Sequence, residues 1–225
     1  MTHRSATAIV TARNEAAGIA DTVRGLRRIP EIESVVVIDD GSADQTAREA
    51  SAAGATVFGH RRMGKGDALE AALDGVERAD FYLLADGDLG ASAVGLRPLL
   101  RSVLDGAADL AVGILATPPT GGFGVVKALS GRLVERVAGL RPLEPLSGQR
   151  AVTRECLWSC RPVARGFGLE SAMTADALRL GFRVEEVPVH VGHRFGRKDI
   201  AGFVHRGRQG AHIARALLPR LAGLR

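Results

Sequence analysis

Residues 34–38, Ser-Val-Val-Val-Ile, form an unbroken apolar run that is closed at once by Asp39-Asp40-Gly41-Ser42. A strand with one wet face would alternate apolar and polar residues. A run that is apolar on both faces belongs to a parallel strand buried between two layers of helix. The same pattern recurs along the first half of the chain. Residues 7–11 make a short β-rich run, followed by Asn14 as a helix N-cap and a helix that ends near Ile29 and Pro30. Ser42 or Asp44 caps a second helix through Ala53, which Gly54 stops. Residues 55–58 read as a third strand. Ala68, Leu69, Ala72, Leu73 and Val76 mark 66–76 as helical, and 81–85 as a fourth strand ends in Asp86-Gly87-Asp88. Strand–helix units in this order imply a mostly parallel sheet with right-handed crossovers, flanked by helices.

After residue 100 the rhythm loosens. A strand is expected at 110–115, helices at 125–140 and 169–180, and a strand at 184–187. Residues 203–221 read as an amphipathic helix with Ile213, Leu217 and Leu221 on one stripe. No repeat or low-complexity linker interrupts the 225 residues, so one domain is expected over 1–225. Hydrophobic residues at 46% and charged residues at 24% exclude a mainly disordered chain. Cys156 and Cys160 cannot make a disulfide framework. At i, i+4 they read as reduced core residues, which fits a cytoplasmic protein. No apolar signal segment opens the chain. The most apolar stretch, 107–126, contains Asp109, Pro118 and Pro119, so it reads as strand, loop and helix start rather than a membrane span.

The formal charge of +5 is unevenly placed: residues 190–225 carry eight Lys or Arg and one Asp, net +7, which leaves the rest of the chain at −2. The basic character therefore belongs to a C-terminal helical extension. Such an extension meets an acidic substrate, an anionic membrane surface or nucleic acid, or is a solvated helix face. With one Trp and one Tyr, stacking platforms for single-stranded nucleic acid are scarce.

In open parallel sheets, ligands bind at the carboxyl ends of the strands. Three polar clusters fall there: 11–15, 39–42 and 86–88. In extended backbone, Asp86 and Asp88 point to one side, which suits a hard divalent cation bridging to a diphosphate; a polar turn reads equally well. Asp39 and Asp40 either meet a ribose or base, or cap the next helix. Gly64-Lys65-Gly66 before a helix makes an anion site without Walker A spacing. No G-x-G-x-x-G follows the first strand, which disfavours a dinucleotide-binding domain.

Residues 9–15 (Ile-Val-Thr-Ala-Arg-Asn-Glu), 37–46 (Val-Ile-Asp-Asp-Gly-Ser-Ala-Asp-Gln-Thr), 64–69 (Gly-Lys-Gly-Asp-Ala-Leu) and 85–88 (Ala-Asp-Gly-Asp), in that order, resemble the family 2 glycosyltransferases of the GT-A fold. The second half, through Gly148-Gln149-Arg150, 166–170 and His193-Arg194, is similar in outline to polyprenyl-phosphate sugar transferases and glucosyl-3-phosphoglycerate synthases. The resemblance implies a nucleotide-sugar-binding half over 1–105, an acceptor half over 106–190 and the basic extension over 191–225. It implies that Thr11, Arg13, Glu15 and Asp40 line base and ribose and that Lys65 sits near the phosphates. Asp86 would meet ribose or donor sugar, and Asp88, joined by His193, would hold Mg2+ or Mn2+. The donor would be a UDP- or GDP-sugar.

For a hydroxyl acceptor Glu170 is the expected general base, preferred over Asp176 further along the same helix. A phosphate acceptor, dianionic above a second pKa of about 6, needs no base but needs cations, for which Arg150, Arg194, Arg197 and Lys198 are the candidates. The basic helix would then hold an acidic acceptor or lie peripherally on an anionic membrane at the inner face; nucleic acid is not expected as a partner. Two other readings stand beside this one. A sugar-nucleotide nucleotidyltransferase would want a Gly-rich basic loop after the first strand. A catalytically idle binding module would gain from losing Asp40, Asp86 and Asp88.

Overall fold

The computed structural model describes residues 5–115, 123–192 and 200–223, with the backbone alone for 123 and 200–209. The elements are β1 (Ala6–Ala12), α1 (Ile19–Arg27), β2 (Ile32–Asp40), α2 (Thr46–Ala52), β3 (Thr56–His60), α3 (Lys65–Leu73) and β4 (Phe81–Asp86). A 3-10 segment, Gly90–Leu96, runs into α4 (Arg97–Leu104). Then follow β5 (Leu110–Leu115), α5 (Phe123–Ala138), β6 (Arg150–Thr153) and α6 (Arg154–Ser159). A 3-10 turn, Gly166–Gly168, leads into α7 (Leu169–Arg179), followed by β7 (Val184–Val189) and α8 (Ile200–Leu221).

Among the described residues, seven strands form one sheet in the order β3-β2-β1-β4-β6-β5-β7. β1 pairs in parallel with both β2 and β4, β2 with β3, and β5 with β7; β6 alone runs antiparallel, between β4 and β5. The last six residues of β2 are all buried, as a strand covered on both faces requires. One apolar layer packs α1 and α4 against the sheet through Ile19, Val23, Leu99 and Leu100. The other packs α3, α6 and α7 through Leu69, Leu73, Leu157 and Met173. Cys156 and Cys160 are buried and unbridged in that second layer. A smaller cluster joins α5, α7 and α8 through Val134, Ala172, Ile213 and Leu217. The basic extension is therefore docked on the domain through its described C-terminal turns.

The chain moves outward from β1 to β2 and β3, then returns to place β4 on the other side of β1. That reversal opens a crevice at the carboxyl ends of β1, β2 and β4, where Thr11 is paired with Asp86 and Asp40 with His60.

Candidate active site

The β1 and β2 exits are stapled together by short polar side chains. Asn14 turns the chain in the left-handed region at φ 57, which Asn tolerates. Its Oδ1 accepts from Ala43 N at 2.8 Å, Ser42 Oγ accepts from Asn14 N at 2.9 Å, and Thr46 Oγ1 accepts from Glu15 N at 2.8 Å. Asn14 is thus a loop staple rather than the expected helix cap: α1 starts only at Ile19. Asp44 Oδ1 accepts from Thr46 N at 3.0 Å at the start of α2. Of the two adjacent acids, Asp39 makes the turn, accepting from Ser42 N at 3.0 Å and Ser42 Oγ at 2.5 Å.

Asp40 faces the cleft. Its carboxylate accepts from Met63 N at 2.6 Å and Gly64 N at 3.0 Å, which draws the loop before α3 toward the β2 end. Gly64 takes φ 102, a conformation glycine supplies at least cost, and Lys65 becomes the first residue of α3. The Lys65 ammonium then lies 2.6 Å from Asp86 Oδ1 and 2.9 Å from Glu170 Oε1. Burial opposes the ammonium, but the two carboxylates outweigh it and hold the Lys65 pKa above its ordinary value. Asp86 is fixed from the other side: Gln149 Nε2 donates to its Oδ2 at 2.6 Å, and its own N–H donates to Gln149 Oε1 at 3.3 Å.

Gly148 closes this cluster. A Cβ there would lie 2.6 Å from both Asp86 Oδ2 and Lys65 Nζ. Gly148→Ala is therefore expected to push the ion pair apart. The expected result is an unfolding free energy lowered by about 1–2 kcal/mol, read by thermal unfolding.

Asp86 and Asp88 do not share a strand face. β4 ends at Asp86, and Gly87 and Asp88 form the following turn, so the extended-backbone expectation is corrected. Gly87 is needed because a Cβ would meet Ala12 Cβ at 2.9 Å and Glu15 Cγ at 3.3 Å. The β1 exit thereby packs directly on the acidic turn. Arg150 is also corrected. Its side chain is only 1% exposed, Nε donates to Ser147 O at 2.8 Å, and Nη1 donates to Thr174 Oγ1 at 2.9 Å. Desolvation pushes the guanidinium down to about 10, opposed by the Glu170 charge, so it stays protonated at neutral pH. An arginine in that position lies inside the protein and does not face an acceptor.

His193, Arg194, Arg197 and Lys198 lie outside the described residues. Gly192, just before them, donates to Ser92 Oγ at 2.8 Å, four residues beyond Asp88.

A cleft of about 1140 Å³ runs from Arg13, Asp40 and Lys65 to a wall made by Gly166, His212 and Arg215. The sequence reading passed over His212 and Arg215. The signal available was the net positive charge of α8, not the face on which each residue falls. Chemically, the cleft joins a lysine held charged by two carboxylates to a wall that carries arginines, a combination suited to anions.

The sequence model of the family described as "Glycosyl transferase family 2" matches residues 7–146. Glycosyltransferase AglJ of Haloferax volcanii is 30% identical over 179 residues, covering 78% of this chain and 59% of that protein. Glucosyl-3-phosphoglycerate synthase of Mycobacterium tuberculosis is 30% identical over 211 residues, covering 79% of this chain and 62% of that protein. The chain spans about three fifths of the length of these curated relatives. A crystal structure of the mycobacterial synthase with Mn2+, UDP and glucosyl-3-phosphoglycerate matches with a TM-score of 0.79 at 26% identity, covering 97% of this chain and 80% of that one.

Proposed function

This chain belongs to glycosyl transferase family 2, and from that membership we propose that it moves a sugar from a UDP- or GDP-linked donor to a phosphate-bearing acceptor. The observation that carries the reading is Lys65, held between Asp86 and Glu170 at the sheet's switch point. The similar mycobacterial synthase, with UDP and Mn2+ in its site, supports a nucleotide donor and a divalent cation.

Among the described residues no three His, Cys, Asp or Glu side chains gather into a metal site. Mg2+ and Mn2+ do not require one, since such ions settle on one or two carboxylates together with substrate phosphate oxygens. Asp88 of the D-x-D turn fits that role, and His193 is proposed to join it; an imidazole favours Mn2+. When bound, the ion supplies Lewis-acid stabilisation of the departing diphosphate. Thr11, Arg13, Glu15 and Asp40 line the nucleoside, and Asp86, oriented by Gln149 and Lys65, meets ribose or sugar. Glu170, its carboxylate aligned by Lys65, takes the proton of a hydroxyl acceptor. A polyprenyl phosphate would need no such base, and Arg194, Arg197 and Lys198 are proposed to take its charge.

No described helix is long and apolar enough to cross a membrane. We place the reaction in the cytoplasm, with the basic C-terminal helix at the inner membrane face if the acceptor is a lipid.

Thermal unfolding of wild type and Asp88→Ala with UDP or GDP, each with and without Mn2+, tests the reading. A nucleotide at about 100 times its Kd adds about 2.7 kcal/mol, a rise of roughly 5–10 °C for a chain of this size. The expected result is stabilisation of wild type that depends on Mn2+ and is lost in Asp88→Ala. No response to either nucleotide at millimolar concentration would overturn the proposal.

A further inference from the structure

We propose that α8 completes the cleft with an anion subsite, centred on Arg215 and His212, that takes the phosphate of the acceptor; assigning that phosphate to the acceptor rests on the glycosyl-transfer reading. The first argument is a count of charge. Three cations of the cleft are already neutralised by the protein: Lys65 by Asp86 and Glu170, Arg165 by Asp67 at 3.3 Å, and Arg220 by Asp176 at 2.7 Å. Arg13, Arg62 and Arg215 line the same cleft and form no ion pair among the described residues. Its other carboxylate, Asp40, keeps its negative charge while it accepts from the amides of Met63 and Gly64, and Lys65 faces two carboxylates, so the six cations and five carboxylates named here leave the cleft one positive charge in excess. A nucleoside diphosphate sugar brings about two negative charges, which one divalent cation balances. The one excess positive charge leaves room for a second anion, Arg215 has no ion-pair partner among the described residues, and a guanidinium is shaped for phosphate.

The second argument is that the α8 wall is built. Arg220 forms two hydrogen bonds to Asp176, Nε to Oδ1 and Nη2 to Oδ2, both at 2.7 Å, and Ile213 and Leu217 are buried beneath the helix. These contacts set the rotation of α8. His212 is held in turn. Its ring lies 5.8 Å from the Phe167 ring, and its Nδ1 accepts a long hydrogen bond from Phe167 N at 3.4 Å. Gly166, at φ 55, makes room for it: a Cβ would stand 2.3 Å from Nδ1. With Nδ1 accepting, the neutral imidazole carries its proton on Nε2 and is a donor there. Arg215 follows on the next turn, exposed at the cleft.

The test titrates glycerol 3-phosphate and inorganic phosphate, with UDP and Mn2+ measured separately, into wild type, Arg215→Ala, Arg215→Glu and His212→Gln. Arg215 is exposed, so its variants are expected to fold normally. The expected result is saturable binding of the phosphate probes to wild type and at least tenfold weaker binding to Arg215→Ala, with a larger loss in Arg215→Glu. UDP–Mn2+ affinity should stay within twofold. The proposal is overturned if wild type ignores both probes, if the variants bind them as wild type does, or if UDP–Mn2+ affinity falls in step. Absent UDP–Mn2+ binding in wild type would strike the glycosyl-transfer reading alone, since the phosphate titration reads the subsite separately. Vesicles with and without phosphatidic acid tell a lipid-borne phosphate from a soluble one: retention that Arg215→Glu abolishes assigns the subsite to a lipid acceptor, and a response to glycerol 3-phosphate alone assigns it to a soluble one.

Discussion

Lys65→Met is expected to abolish Mn2+-dependent nucleotide binding and to lower the unfolding free energy by about 2 kcal/mol. The substitution removes the ammonium that bridges Asp86 and Glu170. Breaking a fully buried pair costs about 3–5 kcal/mol. Here the lysine and Asp86 side chains are 25% and 32% exposed, so solvent relieves part of the penalty. Because the folded protein raises the Lys65 pKa, the contribution is fully present below the unfolded value of about 10.4 and is lost only as pH climbs through the higher folded value. The penalty should therefore be flat between pH 6 and pH 9. The double variant Lys65→Met/Glu170→Gln separates the two effects. It should regain at least 1 kcal/mol of stability, since fewer unbalanced charges remain, yet still fail to bind nucleotide. Recovery of nucleotide binding in the double variant would contradict a direct role for the ammonium at the donor phosphates.

The strands and acidic turns of this site were legible because each lies at the end of a continuous apolar run. β5 was expected at the very residues it occupies, and β1, β2 and β4 within two residues at each end. Strand β6 left no such trace. Four residues led by an arginine have no period to read, yet they place Arg150, with Gln149 just before it, between β4 and β5. Nor was α4 visible, since a glycine-rich 3-10 segment runs into it without a side-chain cap. Arg150 misled because arginine is rarely so buried. The contact of Lys65 with Glu170 joins residues far apart in sequence, and only tertiary packing brings them together. Positive charge in α8 was plain; which residues met the cleft depended on the Asp176–Arg220 pair and the Gly166 turn.

That same pair should give the largest loss of stability of any single surface-adjacent change. Asp176→Ala leaves the Arg220 guanidinium, whose side chain is only 10% exposed, without its carboxylate. An uncompensated buried charge costs about 3–5 kcal/mol. The protein has one escape: the C-terminal turns of α8 can lift and let Arg220 reach water. That would expose Ile213 and Leu217, now fully buried, at about 1.5–3 kcal/mol each. The two costs are comparable, so the observed loss should be about 3 kcal/mol and should be concentrated locally. Hydrogen exchange is expected to accelerate across 210–221 well before β1 or β4 responds. Asp176→Leu/Arg220→Met, which replaces the pair by apolar side chains, should recover most of the stability. The functional consequence follows from where α8 stands. In Asp176→Ala the cleft loses the wall that carries His212 and Arg215, while Lys65, Asp86 and Glu170 keep their contacts. Nucleotide binding should survive at temperatures where the sheet is intact, and glycerol 3-phosphate binding should not. Uniform acceleration of exchange through the sheet would instead make α8 part of the global folding unit, and the loss of phosphate binding would then say nothing specific about its wall.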